Sequence, residues 1–99
     1  MTQQQIKSLL QIKSIDDVQS LNIIDEYTDD HSPCAEVEIN GINVDFLWYN
    51  ELGFLRYYKE SPKAAKKLIS AIHASAVAVA ENLEEDYDEE LKQLIAPHI

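Results

Sequence analysis

Asn40-Gly41, set between two alternating runs, constrains this chain more than any other local feature. A two-residue type I′ hairpin turn needs positive φ at both central residues, and Asn-Gly is its preferred dipeptide. The runs on either side then pair in one register. Ile39 falls opposite Ile42, Val37 opposite Val44 and Ala35 opposite Phe46, with Trp48 continuing that side. Side chains alternate along a strand, so the other face carries Glu36, Glu38, Asn43, Asp45, Leu47 and Tyr49. Glu36 stands directly opposite Asp45, and opposed like charges on paired strands are destabilising by up to about 1 kcal/mol.

The neighbouring segments build an α+β fold around this hairpin. Asn50-Glu51-Leu52-Gly53 reads as a further turn, so that Phe54 to Tyr58 extends the 34–58 region into a third strand. Leu55 and Tyr57 would then face the core, and Arg56 would lie outside, where it could relieve the Glu36–Asp45 opposition. Leu21 to Thr28 is compatible with an edge strand but lacks clean alternation, which leaves a three- to four-stranded antiparallel meander. Residues 29–33 read as a loop by composition. Upstream, Thr2 with Gln5 forms a capping-box pattern before Ile6, Leu9, Leu10 and Lys13, predicting a helix over about residues 3–13. Ser14 with Asp17 repeats the pattern before a short helical turn.

Ser61-Pro62 opens the major helix, Ser as N-cap and Pro at the first helical position. Ala65, Leu68, Ile69, Ile72, Ala76, Val79 and Leu83 trace one apolar stripe, suited to covering the sheet. The stripe resumes at Tyr87, Leu91, Leu94 and Ile95, and Pro97 ends it. A break near Glu85-Asp86 followed by a short acidic last helix is the preferred reading, with one continuous helix as the alternative.

Ninety-nine residues predict a single domain over 1–99. The N-terminus has no basic stretch followed by an apolar core, and Ala71 to Ala80 is too short to span a bilayer. A lone cysteine, Cys34, fits a reducing compartment, so a cytoplasmic location is expected. Charge is more informative. Eighteen acids against eight bases give a net −10, unevenly spread. A basic island of Arg56, Lys59, Lys63, Lys66 and Lys67 separates an acidic first half from the run Glu81, Glu84, Glu85, Asp86, Asp88, Glu89 and Glu90. Such a charge repels nucleic acid and anionic membranes and attracts basic proteins.

Little in the sequence suits catalysis. His31 and Cys34 are three apart beside Asp29 and Asp30, but a small buried apolar role suits Cys34 better. Acids at 25–30 lack the spacing and the central glycine of a calcium loop, and no Cys/His zinc pattern occurs. Gly41 and Gly53 both read as turn residues, which leaves no phosphate loop. Neither an enzyme nor a cofactor is expected. Lys63, Lys66 and Lys67 open a helix, the end where the dipole disfavours cations. Pairing with the protein's own carboxylates is the simpler explanation, and contact with a partner is the other.

The acidic run is the densest charge feature. As a helix its ten residues rise about 15 Å, one charge per roughly 2 Å. Duplex DNA carries one per about 1.7 Å. Glu81, Glu84, Glu85 and Asp88 would share a face, with Tyr87 as an aromatic anchor. In size, acidity, element order and its one cysteine the chain is similar to phage anti-defence proteins, including anti-CRISPR and anti-restriction DNA mimics. It is similar in the same respects to immunity proteins that neutralise basic nuclease toxins. The resemblance implies a charge-dominated interface with a basic, nucleic-acid-binding protein, through Glu81 to Glu90 and a second patch at Glu36, Glu38 and Asp45. The alternative is a non-inhibitory structural or homo-oligomerising module whose acidity serves solubility. Ala71, Ser75, Ala78 and Asn82 supply it with a small-residue face for a homodimer.

Overall fold

The computed structural model describes residues 1–46, 53–83 and 86–98. Helix α1 (Gln3–Leu10) starts at the expected box, with Thr2 Oγ1 accepting from Gln5 N at 3.2 Å and Gln5 Oε1 accepting from Thr2 N at 2.9 Å. It stops short of residue 13 because Gln11 is its C-cap and Ile12 N already turns back to Leu9 O. Asp17 then accepts from the backbone N–H groups of Lys13 and Ser14, closing a 3-10 turn at Ile15–Asp17.

Three antiparallel strands follow in spatial order: β1 (Leu21–Asp29), β2 (Ser32–Ile39) and β3 (Ile42–Phe46). The β2–β3 pairing has the register the Asn-Gly turn predicts, from Ile39–Ile42 to Ala35–Phe46. Asn40 and Gly41 take φ of 52° and 81°. Asn40 does more than turn: its Oδ1 accepts from Gln19 N and Ser20 N, and its Nδ2 donates to Asp17 O. Residues 29–33 are not a loop. Asp30 and His31 form a second tight turn with φ of 47° and 66°, and Ser32 and Pro33 already belong to β2. Pro33 is tolerated there because it lies beyond the stretch of β2 paired to β3.

The third strand is therefore β1, and the strand expected at Phe54 to Tyr58 is instead helix α2 (Gly53–Tyr57). The apolar residues explain why. Phe54, Leu55 and Tyr58 are buried at helical spacing, while Tyr57, expected in the core, is 56% exposed. Leu47, Trp48, Tyr49 and the turn positions 50–52 lie outside the described residues.

Helix α3 (Pro62–Glu81) is capped by Ser61, whose hydroxyl accepts from Ala64 N. Leu68, Ile72, Ala76 and Ala80 are its fully buried stripe. They join Ala35, Val37, Ile39, Ile42 and Val44 of the sheet and Ile6, Leu9 and Leu10 of α1 in one apolar cluster. The segment after Glu81 is not one continuous helix: a separate α4 (Glu89–Ile95) begins at the cap Asp88, and Ala96–His98 add a 3-10 turn. Among the described residues, helices cover one face of the sheet, while Glu36, Glu38 and Asp45 on the other keep access to solvent, a two-layer arrangement. No helix among the described residues is long and apolar enough to cross a membrane.

His73 ties α3 to the end of the α1 region. Its Nε2 donates to Ile12 O at 2.6 Å, and its ring lies 5.0 Å from that of His98. Burial holds its pKa below the ordinary 6.5; the Ile12 bond opposes this, while His98 and Lys13 add to it. The unfolded chain therefore binds more protons as pH falls through 6.5, and stability drops in that window. Melting temperature should be lower at about pH 5.5 than at about pH 7.5, with a smaller difference in His73→Gln. Equal melting temperatures in the unaltered protein would contradict this.

Candidate functional site: the open face of the sheet

The open face is assembled by a β-bulge. Ile23 pairs with Val37, but Asp25, two residues on, pairs with Glu36, one residue on, so Ile24 is extruded. Regular pairing would have set Ile24 opposite Glu36 and turned Asp25 to the helix side. Instead Ile24 is 54% exposed at the sheet edge, and Asp25, Glu36 and Asp45 form one row across all three strands. Directly paired residues in a sheet are about 4.5–5.5 Å apart at Cα, so three carboxylates occupy roughly 10 Å. The row below it is Asn22, Glu38 and Asn43; Tyr27 and Cys34 pair above, and Asp29 lies further along β1 on the same face.

Among the described residues, no cation lies within ion-pair distance of Asp25, Asp29, Glu36, Glu38 or Asp45. Glu36 accepts from Asn43 Nδ2 at 2.7 Å, which satisfies one oxygen without neutralising the charge. Arg56, expected to relieve the Glu36–Asp45 opposition, lies on α2 and pairs with Glu26 at 2.6 Å. Tyr27 is 38% exposed within this field. Partial burial pushes its hydroxyl pKa up, and the charges of Asp45, Cys34, Asp29 and Glu36 push it further in the same direction. The phenol therefore stays protonated and can donate to an acceptor on an incoming surface. Cys34 is 1% exposed and donates its thiol to Ser32 O at 3.6 Å.

The Glu81–Glu90 run is arranged differently from a charged helix. Glu81 is the last residue of α3, residues 86–88 are non-helical, and Glu89 and Glu90 open α4, the end where the dipole favours acids. Glu84 and Glu85 lie outside the described residues. Six of the run's contacts bind the chain to itself. Lys7, 8% exposed, pairs with Asp88 and, at 3.4 Å, with Glu90. Asp88 Oδ1 accepts from Leu91 N, and Gln3 bonds both Asp86 O and Asp88 N. The Lys7 ammonium and the Leu91 N–H hold the Asp88 carboxyl below its usual range; hydrogen bonding to Asp88 raises Lys7 in turn. Tyr87 is half-buried and donates its hydroxyl to Ala80 O rather than standing out as an anchor. Glu81, Asp86, Asp88, Glu89 and Glu90 are all exposed, and of these Glu81, Asp86 and Glu89 are in no ion pair among the described residues.

Of the sequence-derived positions, then, Glu36, Glu38 and Asp45 come together on one surface, while Asp88 and Glu90, themselves exposed, also pair with Lys7, and Tyr87 is tied to Ala80. Asp25, Asp29 and Tyr27 belong to the site and were not anticipated. Their sequence signal is weak because the bulge breaks the alternation of LNIIDEYT. In the basic island Arg56 is paired and Lys59 sits 5.8 Å over the Tyr58 ring. Lys63 and Lys66 are exposed and in no ion pair among the described residues. No group of three or more His, Cys, Asp or Glu is placed to hold a metal among the described residues.

Fold and face together define a small α+β protein whose described residues present an acidic sheet surface. Neither a scan of protein-family models nor searches of curated proteins and of solved structures finds a match to the chain.

Proposed function

We propose that this chain is a small acidic binding protein whose open sheet face occupies a basic, nucleic-acid-binding surface of a partner protein, in the manner of phage anti-defence inhibitors or nuclease-toxin immunity proteins. The cross-strand row Asp25–Glu36–Asp45 carries the reading. Like charges aligned across a sheet destabilise the free protein, and no cation among the described residues offsets them. A basic surface laid on the row turns that repulsion into attraction. Tyr27 adds the amphipathic aromatic that interface centres favour, within the same charged patch. The exposed Glu81, Asp86 and Glu89 extend the negative field and steer a basic partner from a distance.

Capture from a bacterial lysate on the immobilised chain tests this. A basic, nucleic-acid-binding protein should be retained at low salt and released as salt rises, since screening shortens the Debye length to about 8 Å at physiological ionic strength. Nucleic acid should compete with the chain for that protein. Retention that is indifferent to salt, or that nucleic acid does not compete with, overturns the reading.

A further inference from the structure

The exposed line of α3 is a second surface, on the side of the helix away from its buried stripe. It runs Lys63, Lys66, Ser70, Ala74, Ala78 and Glu81, all exposed and spaced by three or four residues. Lys63 and Glu81 are eighteen residues apart, five helical turns, so they fall on one line about 27 Å long. Its ends are opposite in charge, its middle is short and uncharged, and a groove of about 500 Å³ runs beside it, bordered by His73, Val77 and His98. Ala71 and Ser75, anticipated as a packing face, are half-buried instead, and Ser75 Oγ donates to Asp45 O.

We infer that this face receives a second copy of the chain, docked antiparallel across a two-fold axis between Ser70 and Ala74. Charge complementarity selects that occupant and that orientation. Antiparallel docking about this axis sets Lys63 of each copy opposite Glu81 of the other and Ser70 opposite Ala74. Lys66 falls opposite Ala78, one turn from Glu81. Parallel docking would instead put lysine against lysine and glutamate against glutamate. Lys63 and Glu81 each sit at the end of α3 where the dipole disfavours them. Across the axis, each meets the complementary end of the other helix. Short side chains at the crossing let the two helices approach, and a shallow crossing near 20° keeps the whole line in contact. The surface is narrow and each chain carries −10, so the dimer is weak, populated on the order of 100 μM. The inference does not depend on the sheet-face reading.

Sedimentation equilibrium of the full chain at physiological salt, over a concentration series, tests it with two charge-reversed variants. Lys63→Glu/Lys66→Glu and Glu81→Lys should each weaken self-association tenfold or more, because each sets like charges against each other. Mixing the two should restore a dimer, since both ends of the mixed pair are again opposite in charge. Both reversals move charge to the end of α3 that the dipole favours, so melting temperatures should hold or rise and loss of the dimer cannot be loss of fold. A monomeric mass up to about 1 mM, a dimer insensitive to either reversal, or a mixture that stays monomeric overturns the inference.

Discussion

Replacing Asp25, Glu36 and Asp45 by Asn, Gln and Asn is expected to raise stability and abolish partner capture together. The three carboxylates occupy one row, giving two directly opposed like-charged pairs, each destabilising by about 0.2–1 kcal/mol. A domain of this size shifts its melting temperature by about 4–8 °C per kcal/mol, so a rise of a few degrees is expected. Binding to a basic surface should weaken tenfold or more, and its salt dependence should shrink, because charges that steer and register the complex are gone. Amide replacements keep shape and hydrogen-bonding capacity, so packing is unaffected. The two readouts, a thermal melt and a salt-graded capture, are independent. Stability that falls along with binding would mean that the row is neutralised within the protein. Stability that rises while capture persists would place the interface elsewhere, with Glu81, Asp86 and Glu89 the next surface to examine.

Legibility in the sequence followed the range of the interactions involved. Asn40-Gly41 determined turn, register and facing because a two-residue turn admits few geometries. Ser61-Pro62 and the Leu68–Ile72–Ala76 stripe were equally local. Phe54 to Tyr58 misled because five residues holding Phe, Leu and two Tyr suit a strand as well as one and a half helical turns. Burial of Phe54, Leu55 and Tyr58 against α3 decided for the helix. The acidic run was legible in composition but not in arrangement. Its charge density is a local property, but the role of Asp88 depends on Lys7, 81 residues away. In the folded chain a lysine of α1 clamps the start of α4, so carboxylates that read as a partner surface are partly internal ligands. The bulge at Ile24 is the opposite case. It hides an acidic row in a segment without alternation, and only the pairing partner on β2 reveals that Asp25 belongs with Glu36 and Asp45.

Ile72→Ala should be among the most damaging single changes to the fold, through the helix layer that holds the acidic face in shape. Ile72 is fully buried at the centre of α3, and α3 touches α1, α2, β3 and the C-terminal turn. Truncating a buried isoleucine to alanine costs about 2–5 kcal/mol, from lost transfer energy and the cavity left behind. Set against a total of about 5–15 kcal/mol for a domain, that is a large share, and a fall in melting temperature of 10 °C or more is expected. Ala74→Ser, two residues along on the exposed side, should stay within about 0.5 kcal/mol. The contrast tests the layer order as well as the residue. Among the described residues the sheet's other face bears mainly carboxylates, with Cys34 its one buried apolar residue, so Ala35, Val37, Ile39, Ile42 and Val44 have their cover from the helices. Helix and sheet should therefore be lost in one transition in both the parent and Ile72→Ala, at a lower denaturant midpoint in the variant. Separate transitions, or an Ile72→Ala effect no larger than that of Ala74→Ser, would show that α3 is not the shared support of sheet and helices.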